Sequence, residues 1–573
     1  MRNLLSMLKI YKKELLLGPF LKLLEAIIEI SLPIIIASLI DEAISSSIHD
    51  LLPKAFFMLF LVMLGAICAC LAQYYAAKAS TGYGLTVRNS LFDHILNLST
   101  KQIETLGSSS LTNRIINDTS QLEIAVSMWI RLVVRVPLIC LGSFFMTFLL
   151  NKKLSFILLF FTLLFSIAIF LIAKKASPLH KKTNQKLDQL ITLTKETLVN
   201  MRVVRSFSNE EKETDKFSNS NKATYQIAKR ANLLSNLLSP ITTFILNIAV
   251  IVILSDSRVQ ITSSLLTQGE LIAILNYISQ MLVSVILLSN LITIYTRSFA
   301  SASRIGEILS ITPDLKDGYL QDFPSTKTSI EFSNVSFSFH KEPFMENLNL
   351  TIQQGEIVGI IGLTASGKSS LLQLINRSYD ISDGTLFLFE NKIQNYNLSF
   401  LKQSIRLIEQ NPRFLTGTIR QNVTMGLELP DEIVFQALEM ADLSDFILTL
   451  SSGLDTRVEN NASNLSGGQK QRLALSRGFT TIPKVLMLDN STSALDLKTE
   501  NTVIANAIQF AKAHNITLLI ASQKISTIKK ADRIFLFDNG KIDAIGTHNN
   551  LLKQNTLYQE IFHMQFKGKE ESI

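Results

Sequence analysis

Gly362-Leu363-Thr364-Ala365-Ser366-Gly367-Lys368-Ser369 is the stretch that decides the fold of the second half of the chain. It follows the apolar run Ile357–Ile361 and leads through Ser370 into another, which predicts a strand, a glycine-rich turn and a helix. In a GxxxxGK[ST] turn, backbone N–H groups surround a phosphate, and the positive end of the helix faces the same anion. Lys368 would reach the outer phosphates and Ser369 would hold Mg²⁺. The stretch therefore predicts a nucleoside triphosphate site.

The composition predicts that part of the chain lies in a membrane. The 573 residues are 47% hydrophobic and only 18% charged, whereas soluble proteins average about 25% charged residues. The cysteines, Cys68, Cys70 and Cys140, lie in apolar stretches. We expect them to be small buried side chains rather than disulfide partners or metal ligands.

Six apolar stretches in the first half are expected to cross the membrane as helices. A helix needs about 20 residues to span the hydrocarbon core. Four stretches are long and uncharged, while one is short and another carries Lys22, Glu25 and Glu29. The six stretches are Leu15–Ile40, Ala55–Ala77, Val136–Asn151, Leu154–Ala173, Ala231–Ser255 and Leu271–Tyr295.

Basic residues lie mainly on one side of these expected spans. The segment Lys174–Arg230 carries ten Lys and three Arg, and Lys78–Arg131 carries five basic residues, whereas Asp41–Pro53 on the other side has none. Loops rich in Lys and Arg remain in the cytoplasm. We therefore expect both termini and the second half of the chain to be cytoplasmic. The net charge of +8 then reflects membrane topology and not a nucleic-acid surface.

Polar residues inside the expected spans have two interpretations. Glu25 and Glu29 lie one helical turn apart, so they could line a cavity or bind a cationic substrate. Pairing with Arg131 or Arg135 is the favoured alternative. The polar residues of the last span could line a substrate pathway or bond between helices. They are Asn276, Tyr277, Ser279, Gln280, Ser284 and Asn290.

The pattern of the sequence changes after the last span. Residues 1–311 are expected to form the membrane domain, 312–328 a turn-rich linker, and 329–573 a soluble domain. Short alternating runs, Ile330–Phe332 and Val335–Phe339, predict two strands at the start of the last region. The predicted fold is an α-helical six-span membrane domain followed by an α/β domain built around the phosphate turn.

Four further features of the α/β domain fit a nucleotide site. Asp489 follows the apolar strand Val485–Leu488 and is suited to a Mg²⁺ contact. Gln410 lies at a strand end before a turn. The segment Leu465–Gln469 is a serine–glycine turn before a helix, which again presents backbone donors. Phe339 could stack on a nucleobase, although the residues alone favour a place in the core.

The chain resembles the ATP-binding cassette (ABC) transporters along essentially its whole length. The resemblance is most specific in Leu465-Ser466-Gly467-Gly468-Gln469-Lys470-Gln471-Arg472, in Leu486–Asp489 and in Ser493–Asp496. The membrane half resembles the exporter type with intertwined helices. The supporting stretches there are Leu111–Asp118, Arg202–Phe207 and Ser303–Leu309.

The resemblance implies a dimer with ATP held between two chains. Each ATP would lie between the phosphate turn of one chain and the Ser466–Gln469 turn of the other. Turns near Gly107–Ser110 and Leu193–Asn200 would couple the membrane domain to the ATPase domains. The resemblance makes Phe339 the adenine-stacking residue and brings Gln410 to Mg²⁺, together with Ser369 and Asp489. The expected ATP-binding residues are Phe339, Gly362, Thr364, Ala365, Ser366, Gly367, Lys368, Ser369, Ser370, Gln410 and Asp489.

Three positions depart from the family pattern. Asn490 stands where the family has the glutamate that activates the attacking water, and an amide cannot take a proton. Gln523 stands where the family has a histidine that contacts the γ-phosphate. Asn460 stands, in a looser alignment, where the family has an acidic residue. Lys368 and Asp489 remain, so we expect ATP and Mg²⁺ to bind with little hydrolysis in this chain's own site.

The pattern of losses predicts one subunit of a heterodimeric exporter. The Ser466–Gln469 turn is intact, and by the resemblance it serves the partner's site. We expect a bacterial, multi-pass cell-membrane protein that moves drug- or lipid-like amphipathic compounds outward. A homodimeric or regulatory ABC protein gated by ATP binding, or a lipid or peptide exporter, is the alternative. An engineered trap variant is a weaker explanation of Asn490, and a soluble ABC ATPase conflicts with six spans.

Overall fold

The computed structural model describes residues 2–45, 48–263, 265–339 and 344–566. It divides into two compact units. Unit 1 comprises Met1–Leu96 and Gly107–Ile311, and unit 2 comprises Asn97–Leu106 and Thr312–Ile573. The short segment Asn97–Leu106 therefore belongs with unit 2, although it lies within the part of the sequence assigned to the membrane domain. The boundaries 1–311, 312–328 and 329–573 stay predictions.

The described part of the first 311 residues is almost entirely helical. Short 3₁₀ or π turns join several of them at Lys9–Tyr11, Arg114–Asp118 and Trp129–Val133. The helices are α1 (Arg2–Leu8), α2 (Lys12–Ser45), α3 (Ile48–Leu96), α4 (Thr100–Leu106), α5 (Ser108–Asn113), α6 (Thr119–Met128), α7 (Arg135–Leu150), α8 (Lys152–Val199), α9 (Met201–Ser206), α10 (Glu210–Asn236), α11 (Leu238–Thr262) and α12 (Gln268–Ser310).

Six helical stretches in the described residues are long and apolar enough to cross a membrane, as the sequence predicts. They extend well beyond the predicted spans. Lys152–Val199 has 48 residues, a length of about 72 Å, whereas the hydrocarbon core is about 30 Å thick. The protein is therefore a multi-pass membrane protein. The six stretches are Leu4–Ala43, Leu51–Leu96, Ser108–Leu150, Lys152–Val199, Glu210–Thr262 and Gln268–Ser310.

The two turns predicted in the long basic segments are shorter than expected. Gly107 alone makes the first turn with a φ of 76°, and α5 begins at Ser108. The predicted start of the second turn, Leu193, is wrong. Helix α8 continues through Leu193 to Val199, and the chain turns at Asn200. Leu193–Val199 contains no glycine or proline to stop the helix. Pro178 lies inside α8 without ending it.

Helices α2, α7 and α12 pack closely at small residues. Ala26 of α2 and Ala273 of α12 are fully buried in one apolar cluster with Ile139 of α7. A Cβ placed on Gly269 would lie 2.1 Å from the carbonyl oxygen of Ala37, so the two backbones meet directly there. Small residues at such contacts are typical of helix packing in membranes.

Strands and helices alternate in unit 2. The strands are β1 (Thr328–Phe337), β2 (Met345–Gln353), β3 (Ile357–Gly362), β4 (Asp383–Leu388), β5 (Asn391–Lys392), β6 (Ile405–Ile408), β7 (Gly417–Thr418), β8 (Arg457–Val458), β9 (Val485–Asp489), β10 (Thr517–Ala521), β11 (Arg533–Asp538) and β12 (Lys541–Gly546). The helices are α13 (Lys368–Ile375), α14 (Leu398–Ser404), α15 (Ile419–Thr424), α16 (Asp431–Met440), α17 (Ser444–Thr449), α18 (Gly467–Phe479), α19 (Leu497–Ala513), α20 (Ile525–Ile528), α21 (His548–Gln554) and α22 (Thr556–Phe566).

The central sheet of the described part of unit 2 has the strand order β12-β11-β3-β10-β9-β6. Its neighbours from β11 to β6 pair in parallel, and β12 pairs antiparallel at the edge. In β3, Ile357 and Ile361 face one core cluster while Val358 and Ile360 face the other. Both faces of this strand are covered, which explains its continuous apolar run.

A second, antiparallel sheet has the strand order β2-β1-β4-β5. The two strands expected at Ile330–Phe332 and Val335–Phe339 are one irregular strand, β1, which ends at Phe337. Its pairing register shifts between Phe332 and Val335, where Asn334 has a φ of 50°. The bulge interrupts the alternation of apolar residues without ending the strand.

Candidate nucleotide site

The phosphate turn connects β3 to α13, as its sequence predicts. Gly367 precedes the helix with a φ of 111°, which favours glycine. A Cβ on Gly362 would lie 2.2 Å from the carbonyl oxygen of Phe537 in the neighbouring strand, so the turn needs glycine there for space. Thr364 and Ala365 form the tip of the turn, and Ser370 is buried in the first turn of α13.

Lys368 lies over the turn that precedes it. Its ammonium donates to the carbonyl oxygens of Gly362 at 2.9 Å and Leu363 at 2.8 Å, and to Ser366 Oγ at 3.1 Å. Burial lowers the pKa of Lys368, and the nearby Asp489 carboxylate opposes that shift. A phosphate bound in the turn would exchange neutral acceptors for charged ones, which strengthens the hydrogen bonds of the lysine.

Ser369 and Asp489 meet across the sheet. Ser369 Oγ donates to Asp489 Oδ1 at 3.0 Å. Asp489 ends β9, which is separated from β3 by β10, and it is 8% exposed. Burial raises the pKa of Asp489, while Ser369 and Lys368 act in the opposite direction. A hydroxyl and a carboxylate are oxygen ligands of the kind Mg²⁺ takes, so these residues fit the expected cation.

Gln410 and Asn490 lie at the same edge of the sheet. Ile408 of β6 pairs with Leu488 of β9 in parallel, and each residue lies two positions beyond its strand partner. Gln410 is exposed. Asn490 has a φ of 45°, and its N–H donates to the carbonyl oxygen of Ala521 at 2.8 Å.

Gln523 follows β10, the strand between β3 and β9. Its side chain is exposed, and its carbonyl oxygen accepts a hydrogen bond from Gln565. The carboxyl ends of β3, β10, β9 and β6 thus bring together the phosphate turn, Gln523, Asn490 and Gln410. Open parallel sheets bind ligands at this edge.

Phe339 lies two residues beyond the end of β1 and is half-buried. Its ring makes edge contacts with Phe337, at 4.8 Å between centroids, and with Tyr379, at 5.5 Å. Phe344 lies 5.9 Å away. Phe337 is the member of this group that belongs to the core. Phe339 packs against the outside of that core and stays partly exposed.

The Ser466–Gln469 turn begins α18. Ser466 and Gln469 form a reciprocal capping box, in which each side chain bonds to the backbone N–H of the other. Ser466 and Gly467 are exposed. A Cβ on Gly467 would contact only Ala494 Cβ, at 3.8 Å. The turn thus presents a helix N-terminus at the surface, where it can accept an anion.

A buried acid that sequence reasoning missed joins two loops of the site. Glu500 is 1% exposed, and its Oε1 accepts from Thr492 Oγ1 at 2.9 Å and Thr527 Oγ1 at 2.7 Å. Its Oε2 pairs with Lys524 at 2.8 Å. The sequence shows an acid in the first turn of a helix, which is usually exposed and complements the helix dipole. Glu500 instead ties the loop after Asn490 to the loop of Gln523.

The acidic residues of the first membrane helix are paired. Arg135 donates to both oxygens of Glu29, at 2.8 to 3.2 Å, and lies 3.8 Å from Glu25. Lys22 also pairs with Glu25 at 2.6 Å. The pairing interpretation is confirmed for Arg135. Arg131 instead donates to Gln73.

Polar residues of α12 bond to α2, as one of the two interpretations predicts, and some of them also line a pocket. Tyr277 donates to the carbonyl oxygen of Ile30 at 2.6 Å, and Gln280 to that of Glu29 at 3.5 Å, so they bond between helices. Gln280 also lines a pocket of about 270 Å³ with Glu29 and Arg135. The other residues of this pocket are Val136, Ile139, Ser279, Val283, Ser284 and Leu287.

A larger cavity in unit 1 has a volume of about 880 Å³. Its walls come from α1, α2, α3, α12 and the segment 122–137. They are almost entirely apolar and include Leu4, Tyr83, Trp129, Leu291 and Phe299.

Two family models match the chain. Residues 15–285 match the ABC transporter transmembrane region, and residues 345–493 match the ABC transporter model. The first match extends from the first membrane helix into the sixth, and the second includes the phosphate turn.

Curated relatives match nearly the full length. An uncharacterized ABC transporter ATP-binding protein, YfiB of Bacillus subtilis, is 32% identical over 100% of both chains. The ATP-dependent lipid A-core flippase of Photorhabdus laumondii is 28% identical over 92% of this chain and 91% of its own. The putative multidrug export ATP-binding/permease protein YgaD of Bacillus subtilis is 28% identical over 99% of each.

A solved structure of a bacterial Atm1-family ABC exporter with ATP bound has the same fold. The TM-score is 0.81, with 20% identity, and the alignment covers 97% of this chain and 99% of the other. The predicted fold class, six membrane helices followed by an α/β domain with a phosphate turn, is confirmed.

Proposed function

We propose, since the chain belongs to the ABC transporter family, that it is one subunit of a heterodimeric exporter that moves amphipathic compounds out across the cell membrane. The family is one of ATP-driven transport proteins, and the six membrane helices fit that activity. Four features go beyond membership of the family and are proposed here. They are outward transport, a different partner chain, a bacterial cell and the cytoplasmic location of both termini. The basic segments Lys78–Arg131 and Lys174–Arg230 support the cytoplasmic termini.

The observation that carries the proposal is Asn490, beside a phosphate turn and a magnesium-binding pair that are both retained. Lys368 lies over the phosphate turn and Ser369 bonds to Asp489, which supports binding of phosphate and Mg²⁺. An amide at position 490 can orient a water but cannot accept its proton, and loss of a general base costs about 10²–10⁴-fold in rate. Gln523 removes a second expected group. Bound Mg²⁺ would neutralise phosphate charge, with Ser369, Asp489 and Gln410 as its protein neighbours.

The exposed turn at α18 supports a heterodimer. Ser466 and Gln469 retain both capping hydrogen bonds, and the turn can serve an ATP held by another chain. A partner chain would supply the catalytic glutamate and histidine at that second site. This chain then holds ATP at its own phosphate turn with slow cleavage, and it completes the faster site in trans.

The cavities of unit 1 support an amphipathic cargo. The apolar cavity of about 880 Å³ suits a hydrocarbon body, and the pocket with Glu29, Arg135 and Gln280 offers polar groups. The relatives named for lipid A-core and for multidrug export act on, or are assigned to, compounds of that kind. We therefore propose drug- or lipid-like compounds as the substrate class.

The test compares two substitutions in the complex with a co-purified ABC partner. Lys368→Ala should leave most ATP turnover, because the faster site is the partner's. Gly467→Asp should abolish turnover, because the new carboxylate faces the γ-phosphate of the partner's ATP. The aspartate fits this chain without a clash, since a Cβ on Gly467 is 3.8 Å from its nearest neighbour. Phosphate release is the measurement.

The chain alone should turn over ATP at least about 100-fold more slowly than the complex. Robust turnover by the chain alone that Lys368→Ala abolishes would contradict the heterodimer. An absence of turnover with every ABC partner, while ATP still binds, would instead favour a regulatory protein gated by ATP binding.

A further inference from the structure

Two contacts lead from Phe339 to a helix that follows the second membrane helix in the chain. The rings of Phe339 and Tyr379 meet edge to face, with centroids 5.5 Å apart. The hydroxyl of Tyr379 donates to Glu104 Oε2 at 3.2 Å. Glu104 belongs to α4, which lies in the same compact unit as Phe339. Phe339, the residue expected to stack on adenine, thus contacts Tyr379, which is hydrogen-bonded to Glu104 from a distant part of the sequence.

Tyr379 donates this hydrogen bond from a half-buried position. Its ring also contacts Phe337, a core residue of β1, at 5.9 Å. Burial raises the pKa of Tyr379, and the Glu104 carboxylate raises it further. The phenol therefore stays protonated at physiological pH and keeps its hydrogen bond to the carboxylate. Removal of that bond would free the ring to rotate against Phe339.

Helix α4 holds Glu104 in place. Ser99 and Gln102 cap its start reciprocally. The amide of Gln102 donates to the carbonyl oxygen of Thr312 at 2.8 Å and to Asp314 Oδ1 at 2.9 Å. The helix is thereby tied to the segment after Ile311 that enters the α/β domain, and Glu104 reaches Tyr379 from a supported position.

We propose that Glu104 and Tyr379 are positioning residues for the nucleobase. They fix the ring of Phe339 for stacking on adenine and make binding of the base depend on α4, which follows α3 in the chain. The inference rests on the proposed ATP site. Different residues, Lys368 and Ser369, hold the phosphates, so the contributions of the base and of the phosphates can be measured separately.

Linkage makes the effect reciprocal. If α4 strengthens the binding of the base, then the bound base stabilises the contact of α4 by the same free energy. A triphosphate without a base leaves this contact unchanged. Binding of the base would therefore stabilise the contact of α4, the helix between α3 and α5, without any change at the phosphate turn.

The experiment compares Mg²⁺-ATP with Mg²⁺-tripolyphosphate, which has no base. Their dissociation constants are measured by calorimetry on the full chain in detergent. Tyr379→Phe and Glu104→Ala should each weaken ATP binding about three- to tenfold, the range expected for one solvent-exposed hydrogen bond of ordinary strength. Neither should change the binding of tripolyphosphate. The double variant should lose no more than either single variant, because both remove the same bond.

Conservative and matched variants complete the test. Glu104→Gln keeps an acceptor and should retain most of the ATP affinity. Glu432→Ala and Tyr319→Phe, at exposed positions of the same unit, should change neither ligand. Equal losses for ATP and tripolyphosphate, additive losses in the double variant, or unchanged ATP affinity would overturn the inference. Failure of the unsubstituted chain to bind either ligand would instead contradict the proposed ATP site.

Discussion

Single residues decide what the nucleotide site can do, and Asn490 is the plainest example. Its φ of 45° is a conformation that Asn adopts more readily than most residues. A glutamate in the same conformation would supply a base at a backbone cost of about 1 kcal/mol. Glu500 still holds the neighbouring loops together through Thr492 and Thr527. Under the proposed function, the framework around this position is retained while the Asn490 side chain cannot take a proton.

Restoring the two missing groups should restore hydrolysis. We expect Asn490→Glu combined with Gln523→His to raise the rate of this chain's own site by about 10²–10⁴-fold. Single-turnover phosphate release measures it, in a complex whose partner has its phosphate-turn lysine replaced. Asn490→Gln with Gln523→His is the matched control, because an amide remains at position 490. An equal rate in both double variants would contradict the role assigned to this position.

As the pH decreases, nucleotide binding should weaken at a higher pH than it would if Asp489 had the pKa of an ordinary aspartate. Burial raises the pKa of Asp489 above its usual 3.8, and Mg²⁺ must displace the proton that binds there. The affinity for Mg²⁺-ATP should therefore fall as the pH decreases through that raised pKa, and tripolyphosphate should behave alike. Calorimetry at a series of acidic pH values tests this. Asp489→Asn should flatten the dependence at lower affinity, and an unchanged profile would contradict the assignment.

Among the elements, α12 and α2 show how closely two membrane helices can approach. Asp41 of α2 accepts from the Thr267 hydroxyl at 2.6 Å and from the N–H of Gly269 at 2.9 Å. Glu270 completes a capping box with Thr267. The start of α12 is therefore capped by its own residues and by the neighbouring helix. Gly269 allows this approach because it has no side chain.

Gly269→Ala should be strongly destabilising. Its Cβ would lie 2.1 Å from a backbone oxygen, so the helices must separate, and we expect a loss of about 2–3 kcal/mol. Gly65→Ala in α3 is the matched control, since its Cβ would meet only Ile28 Cγ2 at 3.5 Å. Thermal unfolding in detergent should show a clear decrease for the first variant and none for the second. Equal melting temperatures would refute the close contact.

The sequence predicts elements well where their signals are local. Strand, turn and helix around Gly362–Ser369 follow from spacing within fifteen or so neighbouring residues. The predicted start of the turn after α8 is wrong, because the polar segment before Asn200 continues the helix. The bulge at Asn334 made one strand look like two. These errors concern boundaries, which depend on pairing and packing with distant residues.

For the whole molecule, orientation in the membrane is the property that basic residues predict. A cysteine at Asn209, exposed near the turn after α8, should be cytoplasmic. A cysteine at Ser263, exposed at the end of α11, should face outward. In a chain with Cys68, Cys70 and Cys140 replaced, an impermeant maleimide added to intact cells should label only the Ser263 variant. Labelling of the Asn209 variant alone would reverse the topology.

The candidate site is only partly predictable from the whole sequence. The spacing of the phosphate turn and the resemblance to a family predict Lys368, Ser369 and Asp489, which the structure brings together. Tyr379 and Glu104 lie 275 positions apart, and no local pattern indicates that they meet. The sequence around Glu500 predicts an exposed acid in the first turn of a helix, whereas the structure gives it three partners and buries it. Long-range polar contacts such as these depend on the completed fold.

Proline in a long helix has a mechanical consequence here. Pro178 has no N–H for the carbonyl of Lys174, which leaves α8 one hydrogen bond weaker at that point. The part of α8 from Pro178 to Val199 is 22 residues long, or about 33 Å. A bend of about 10° at the proline would swing the turn at Asn200 sideways by about 6 Å, close to the pitch of one helical turn. A small bend at Pro178 would thus become a displacement of several ångströms at the far end of α8.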